Sequence, residues 1–458
     1  MSGCIERVAS HGIFSANRVA PEVLHVGYTR KRAHMSVVRL IESVQFPEIF
    51  MVTRAFADDA VRDVSAAVAA ALDASNLAPR LPESGEIALA VGSRGIHSLP
   101  EIVATAASWF RAKGCKPFIV PSMGSHGGAT AEGQVKVLAE LGITEERMGC
   151  PVRSSMETIE LGVLGNGLPV HIDAMAAKAD GIFVINRVKP HTAFSGRHES
   201  GLLKMLAIGL GKQKGAEGCH RLGYEHFDSV MPRMAEVIFE KTPVLGGLAT
   251  VENEFDKPCL VEVVLRETFL ERDAALLAYA KKRIPSLPLA RADVLLINRM
   301  GKEISGAGMD PNITGRSPTP FKTSSFSATK AGVLRLTPAS KGNAVGVGSV
   351  DVIPMSLRDA IDFDYTYANV ITTTMLRSAF IPAVMPTDKY VLQCLIKTCN
   401  AAGSGLRLVY IRDTLTLDRF WVSTPLAEEI RNIPDCAVGA TPSAFVFDGA
   451  GSLVAPEW

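Results

Sequence analysis

The chain has 458 residues and a formal net charge of +1, a length that suits roughly two or three domains with a sizeable core. The balanced charge gives no reason to expect a nucleic acid or an anionic membrane surface as a partner. No apolar run is long enough to span a bilayer, and the eight cysteines include no C-x-x-C pair. We therefore expect a reduced, cytoplasmic protein.

The first 34 residues form an unusual start, with a basic run at residues 30–32 and no long apolar segment. They do not resemble a secretory signal. We interpret residues 1–34 as a disordered extension or a misassigned start, and a genuine but poorly ordered terminus is the alternative. A more regular apolar pattern begins at Met35.

The next part of the chain alternates between two kinds of apolar pattern. These patterns predict strands at 87–91, 116–121 and 181–185 and helices at 98–114, with Ser98 as the cap residue, and at 130–141. A Gly-Asn-Gly turn at 165–167 marks a weaker βα or hairpin region. Repeated strand–glycine loop–helix units predict a parallel sheet covered on both faces.

A second domain is predicted to begin near Pro285, because two prolines interrupt any helix in this stretch. A strand pattern restarts at 292–297, and a loop rich in Gly, Pro, Ser and Thr follows. We therefore predict an α/β fold of two domains with mainly parallel sheets, 35–285 and 286–458, and an active site in the cleft between them. The irregular last segment can return to the first domain.

The stretch 186–220 carries the densest set of ionisable groups. It holds three histidines, six other basic residues and six glycines, directly after the strand predicted at 181–185. In α/β folds, ligands collect at the carboxyl ends of strands. Packing alone does not explain so many polar groups in one glycine-rich loop.

Two candidate residues follow the neighbouring strands. His126 lies in a Gly/Ser loop after 116–121, where an imidazole can move protons near neutral pH, or can merely hydrogen-bond the turn. Arg94 follows 87–91, where a guanidinium can hold a carboxylate, or can be an ordinary surface arginine.

Three more candidates lie within the dense stretch. His191 follows a proline, which fixes the backbone just before it. Lys204 lies among apolar helical residues, and is either a lysine that snorkels to solvent or a desolvated, nucleophilic amine. His220 is a possible single metal ligand, although a lone histidine is normally structural, and the zinc patterns are absent.

The glycines at Gly209 and Gly211, followed by Lys212, resemble a phosphate loop only superficially. Leu206 stands where such a loop needs glycine, and Gln213 stands where it needs Ser or Thr. A nest of backbone amides that binds a phosphate remains open.

Taken together, these residues resemble the lactate racemase family that uses a nickel-pincer nucleotide, closely over about 87–220 and loosely in the second domain. In that family a lysine binds the cofactor covalently as a thioamide, and a histidine sixteen residues later ligates nickel. Lys204 and His220 have that separation. The resemblance implies that His126 and His191 are the two acid/base histidines and that Arg94 binds the substrate.

The resemblance also implies a cofactor, partners and an activity. The cofactor would be nickel pyridinium-3,5-bisthiocarboxylic acid mononucleotide, supplied by cofactor-maturation enzymes and contacted by Gly209 and Gly211. The activity would be racemisation or epimerisation of a small-molecule 2-hydroxy carboxylic acid by hydride transfer, with one histidine serving each stereoisomer. The oligomeric state is not implied.

The sequence departs from the family pattern in three places. His191 lies thirteen residues before Lys204, a slightly longer gap than usual. Val91 replaces a frequent Asp, and the segment 310–316 replaces a Tyr-Gln-x-x-Lys segment, so that Arg316 takes the place of the substrate-binding lysine. The last two departures predict a substrate bulkier or more polar than lactate, such as a sugar acid.

Two alternatives belong to other functional classes. One is a hydrolase or transferase that binds phosphate at 209–215 and uses His126 as the base. The other is a non-catalytic protein of the same fold that binds a cofactor or an acidic metabolite.

Overall fold

Two sheets and one hairpin contain the strands of the computed structural model, which describes residues 37–93, 95–401 and 405–458. The predictions for residues 1–34 and for Arg94 lie outside these residues. The strands are β1 (Ile49–Arg54), β2 (Glu86–Val91), β3 (Lys116–Pro121), β4 (Thr158–Val163), β5 (Pro169–Asp173), β6 (Gly181–Arg187), β7 (Val244–Glu252), β8 (Pro258–Leu265), β9 (Arg291–Met300), β10 (Ser327–Leu336), β11 (Val352–Pro354), β12 (Ala383–Met385), β13 (Leu408–Ile411), β14 (Arg419–Ser423) and β15 (Cys436–Val438).

The α-helices cover the sheets and join the strands. They are Val64–Ala74, Leu99–Ala112, Ala131–Glu140, Glu145–Met148, Ala174–Lys178, Leu202–Lys204, Lys212–Leu222, Phe227–Lys241, Phe269–Ala280, Pro311–Thr314, Met355–Asp359, Phe363–Thr372, Asp388–Thr398 and Thr424–Ile430. None of the helices in the described residues is long and apolar enough to cross a membrane.

The five-stranded sheet has the order β3-β2-β6-β7-β8. Its first four strands run parallel, and β8 is an antiparallel edge. Alternate residues of β2 enter two different cores: Ala88 and Ala90 pack into one, and Ile87, Leu89 and Val91 into the other. A strand buried on both faces reads as one continuous apolar run, which is why the sequence predicted β2, β3 and β6 but not the other two strands of this sheet.

The eight-stranded sheet has the order β12-β11-β10-β9-β13-β14-β1-β15. Its half from β12 to β13 is parallel, and the remaining pairs are antiparallel. Strand β1, from the start of the described chain, therefore lies in the same sheet as the C-terminal strands. The α/β fold with mainly parallel strands is confirmed, and the domain boundary at residue 285 stays a prediction.

Three local features differ from, or sharpen, the sequence-based expectation. Ser98 is the N-cap residue of its helix, as predicted, but it has a left-handed backbone (φ 57°) and its side chain makes no capping hydrogen bond. The turn at 165–167 closes the β4–β5 hairpin. The apolar stretch after Gly201 begins as an α-helix at Leu202–Lys204 and continues as a π-helix at Met205–Gly209.

Candidate functional site

The centre of the candidate site is a hydrogen bond between two of the predicted residues. Lys204 Nζ lies 2.7 Å from His191 Nε2. Lys204 ends the short helix Leu202–Lys204, and His191 lies in the loop that leaves β6. The amine thus lies against an imidazole, and Lys204 does not follow the snorkelling alternative.

The second nitrogen of His191 determines the protons that this pair can hold. Nδ1 accepts the backbone N–H of Ala193 at 3.0 Å. A neutral imidazole with Nδ1 as acceptor carries its proton on Nε2, facing Lys204 Nζ. In this tautomer the amine would accept that proton and be uncharged, whereas in the other tautomer Lys204, as an ammonium, donates to Nε2. An uncharged amine is the nucleophilic form of lysine.

Burial reinforces this arrangement. The pKa of His191 is held well below its usual value, first by burial of the ring and then by the neighbouring positive charges of Lys204 and Lys322. His191 is therefore neutral at pH 7.

A buried carboxylate, Glu199, shapes the loop around His191. Its side chain is 0% exposed and forms a 2.6 Å ion pair with Lys281. It accepts the backbone N–H of His191 at 2.7 Å and that of Gly196 at 3.0 Å. No local sequence signal indicates this role, because the carboxylate meets the two backbone N–H groups and Lys281 only in the folded chain.

A segment of the chain between β9 and β10 packs onto the same loop. Phe321 O accepts the backbone N–H of Ser195 at 2.9 Å, and Asn312 Nδ2 donates to His191 O at 3.4 Å. Lys322, with a side chain 2% exposed, lies 3.6 Å from Glu199. Lys322 was not a candidate from the sequence, although it is the cation of this segment that reaches the His191 loop.

Arg316, the predicted substrate-binding residue of this segment, has other partners. Its Nη2 lies 2.8 Å from Asp351 Oδ2 and donates to the carbonyls of Ala328 and Thr329. The guanidinium thus ties the segment to the eight-stranded sheet. Its role toward a substrate stays a prediction.

His220 lies in the helix Lys212–Leu222 with aromatic rings on two sides. Its ring centroid is 5.4 Å from those of both Tyr224 and Phe227. Nδ1 is buried without a hydrogen-bond partner, and burial, followed by the charge of Lys204, lowers the pKa of His220 to about 4. A neutral imidazole with an unpartnered nitrogen is the form that binds a metal. Tyr224 also lies 6.1 Å from the His191 ring, so it contacts both histidines.

His126 lies at the same edge of the five-stranded sheet. It follows β3, and its Nδ1 hydrogen-bonds the hydroxyl of Ser93, which follows β2. The loop of His191 follows β6, so side chains from three adjacent parallel strands are presented at their carboxyl ends. His126 is exposed, as a residue that exchanges protons with a substrate must be.

Gly209 and Gly211 are needed by the packing of the protein itself. A β-carbon at Gly209 would lie 2.9 Å from the carbonyl oxygen of Ser122, and one at Gly211 would lie 3.1 Å from that of Ala207. Both glycines therefore permit close approach of backbone to backbone. Their contact with a cofactor stays a prediction.

No family model and no curated protein matches this sequence. A structural-genomics protein from Thermotoga maritima aligns with 71% of this chain and 84% of its own, at 13% identity and a TM-score of 0.47. The lactate racemase apoprotein from Thermoanaerobacterium thermosaccharolyticum aligns with 81% of this chain and 99% of its own, at 13% identity and a TM-score of 0.45. At such identity the likeness concerns the fold alone.

Proposed function

We propose that this protein is a nickel-dependent racemase or epimerase of a 2-hydroxy carboxylic acid, with a nickel-pincer nucleotide bound covalently to Lys204. The observation that carries the proposal is the hydrogen bond between His191 Nε2 and the Lys204 amine, together with Tyr224, whose ring lies next to the rings of both His191 and His220. Three residues for which the sequence suggested separate roles lie in one aromatic-lined cluster.

The chemistry of the donor set fits such a cofactor. His220 offers an unpartnered buried nitrogen, and Lys204 offers an amine that can form an amide-type bond. In residues 37–93, 95–401 and 405–458, no three His, Cys, Asp or Glu side chains converge so as to hold a metal. A nickel ion here would therefore take its other ligands from the nucleotide, and sulfur and imidazole ligands suit nickel. When bound, the nucleotide supplies a hydride acceptor for the α-hydrogen of the substrate.

Side chains of the protein would carry out proton transfer and substrate binding. Once the Lys204 nitrogen is acylated it no longer accepts a proton, and the neutral His191 ring can turn to the substrate hydroxyl. His126, on the loop two strands away, would serve the opposite stereoisomer. We assign substrate carboxylate binding to Arg94, which directly follows Ser93 in the sequence.

The function is tested with loaded enzyme and a panel of enantiopure 2-hydroxy acids in deuterated water. We expect inversion, with the fastest turnover on an acid bulkier or more polar than lactate. Hydride held by a cofactor should return to the α-carbon mostly undeuterated. Best turnover on lactate would refute the size claim, and extensive α-deuteration would refute hydride transfer.

Replacing His220 with alanine should lower the nickel content and leave the organic part of the cofactor on Lys204, because the metal loses a protein ligand while the covalent bond is untouched. Elemental analysis and intact mass measure the two separately. His226→Ala is the matched control, since the side chain of His226 is 53% exposed. A full nickel complement in the His220 variant would exclude this residue as a ligand.

The phosphate-binding alternative has no specific support. Its lysine, Lys212, is 1% exposed and its ammonium is engaged by protein groups. A non-catalytic role remains distinguishable from racemisation by the turnover assay.

A further inference from the structure

A buried ammonium lies beneath the loop that carries His126. Lys212 Nζ donates to Pro121 O at 2.7 Å and to Gln134 Oε1 at 3.0 Å, and lies 3.0 Å from Asp173 Oδ2. Lys212 is 1% exposed, and Gln134 and Asp173 are both 0% exposed. The three side chains form a closed polar cluster with no access to ligand.

Gln134 links this cluster to the loop that carries His126 through hydrogen bonds on both sides of its amide group. A lysine ammonium can only donate hydrogen bonds, so Gln134 must turn its carbonyl oxygen toward Lys212. Its amide nitrogen then faces the opposite way and donates to Gly124 O at 2.9 Å and to His126 O at 3.3 Å. The backbone of His126 is therefore held by a contact whose direction Lys212 fixes.

Both the burial of the Lys212 ammonium and the backbone conformation of Lys212 are energetically unfavourable. Burial lowers the pKa of Lys212, and the charge of Asp173 opposes that shift. The residue also has a left-handed backbone (φ 51°), which a side chain rarely adopts. Apolar residues of similar volume often replace a buried ion pair without loss of stability, so stability alone does not account for it.

Lys212 also lies at a junction of the candidate site. It begins the helix Lys212–Leu222, which carries His220, and it follows the π-helix Met205–Gly209, which follows Lys204. One residue thus connects the segments of the proposed covalent lysine and the proposed metal ligand to the loop of the proposed acid/base histidine.

We propose that Lys212, acting through Gln134, is the positioning residue that sets the place of His126 at the edge of the five-stranded sheet. The consequence for turnover rests on the proposed function, whereas the effect on the position of His126 does not. Misplacement of an acid/base group by about 1 Å can cost about a hundredfold in rate.

Two variants test the cluster, one at the contact with His126 and one at the ion pair. Gln134→Glu keeps an oxygen toward Lys212 and replaces the two N–H donors by an oxygen that faces the carbonyls of Gly124 and His126. The double variant Lys212→Met, Asp173→Asn removes both charges of the ion pair together. Gln213→Glu makes the same change as the first variant at an exposed glutamine and serves as the control.

The first measurement is the imidazole ¹H–¹³C NMR signal of His126 in the cofactor-free chain, assigned with His126→Asn. We expect the signal to shift in both test variants and to stay in place in the control. A wild-type signal position in either test variant overturns the proposal.

The second measurement is turnover of the loaded variants. With wild-type adduct mass on Lys204, we expect kcat to fall about tenfold to a hundredfold while KM changes little. A shifted NMR signal together with an unchanged kcat would support the positioning role and refute the catalytic use of His126, so the two failures are distinguishable.

Discussion

Replacing Lys204 with alanine should give a folded chain that never acquires the covalent mass of the cofactor. The reason is that the Lys204 amine, 2.7 Å from His191 Nε2, would be the nucleophile that forms the covalent bond. Intact-mass spectrometry of the protein, made in a host that also builds the nucleotide, measures the adduct directly. We expect the adduct and all turnover to be lost together.

The control for this variant is Lys214→Ala. Lys214 is an exposed lysine of the same glycine-rich stretch, and its replacement should leave the adduct at wild-type mass. The wild-type chain made in a host without the cofactor-building enzymes should be folded, inactive and free of nickel. An adduct of unchanged mass on the Lys204 variant would assign the attachment to another residue, and full activity in metal-chelated buffer would refute the nickel-pincer proposal.

Replacing His126 or His191 with asparagine should lower turnover by about two to four powers of ten, because each residue would supply a general acid or base for one face of the substrate. His191→Asn should also slow loading, since the hydrogen bond between the imidazole and Lys204 is lost. Rates are therefore compared per molecule of adduct, determined by intact mass. His226→Asn, at an exposed position, is the control.

The two histidine variants differ in what an unchanged rate would mean. A wild-type rate for His126→Asn would exclude an acid/base role for His126. Its hydrogen bond with Ser93 would then be a structural contact. A wild-type rate for His191→Asn, with normal loading, would reduce its hydrogen bond with Lys204 to a structural contact.

Three strands of the five-stranded sheet, β2, β3 and β6, could be predicted, because burial on both faces leaves a short unbroken apolar run in each of them. The strand at 116–121 has the predicted bounds, and 181–185 extends by two residues to Arg187. Position in the eight-stranded sheet could not be predicted for β1, because its partners β14 and β15 lie more than three hundred residues away along the chain. Such pairing has no local signature.

The candidate site was predictable where chemistry and spacing coincide in one stretch. His191, Lys204 and His220 all lie within 186–220. Glu199 and Lys322 were missed because nothing in their local sequence distinguishes them from other acidic and basic residues. They are brought together only by the ion pair between them, which spans 123 residues of sequence. Arg316 belongs to the segment that packs onto the His191 loop, but Asp351 engages its guanidinium, and its role toward a substrate stays a prediction.

The π-helix at Met205–Gly209 makes the direction of the Lys204 side chain depend on the number of residues between Lys204 and His220. Leu210 N donates to Met205 O, five residues back, so this turn holds one residue more than an α-helical turn. The hydroxyl of Ser122 donates to that same carbonyl at 2.9 Å, which anchors the wide turn to the loop after β3. Deleting a single residue here would let ordinary helical hydrogen bonds form and would turn Lys204 by about 100° around the axis of its own helical segment relative to the residues that follow Gly209. The length of this segment is therefore constrained by the directions of the Lys204 and His220 side chains. A chain shortened by one residue would form a more regular helix, but these two side chains would no longer face the same site.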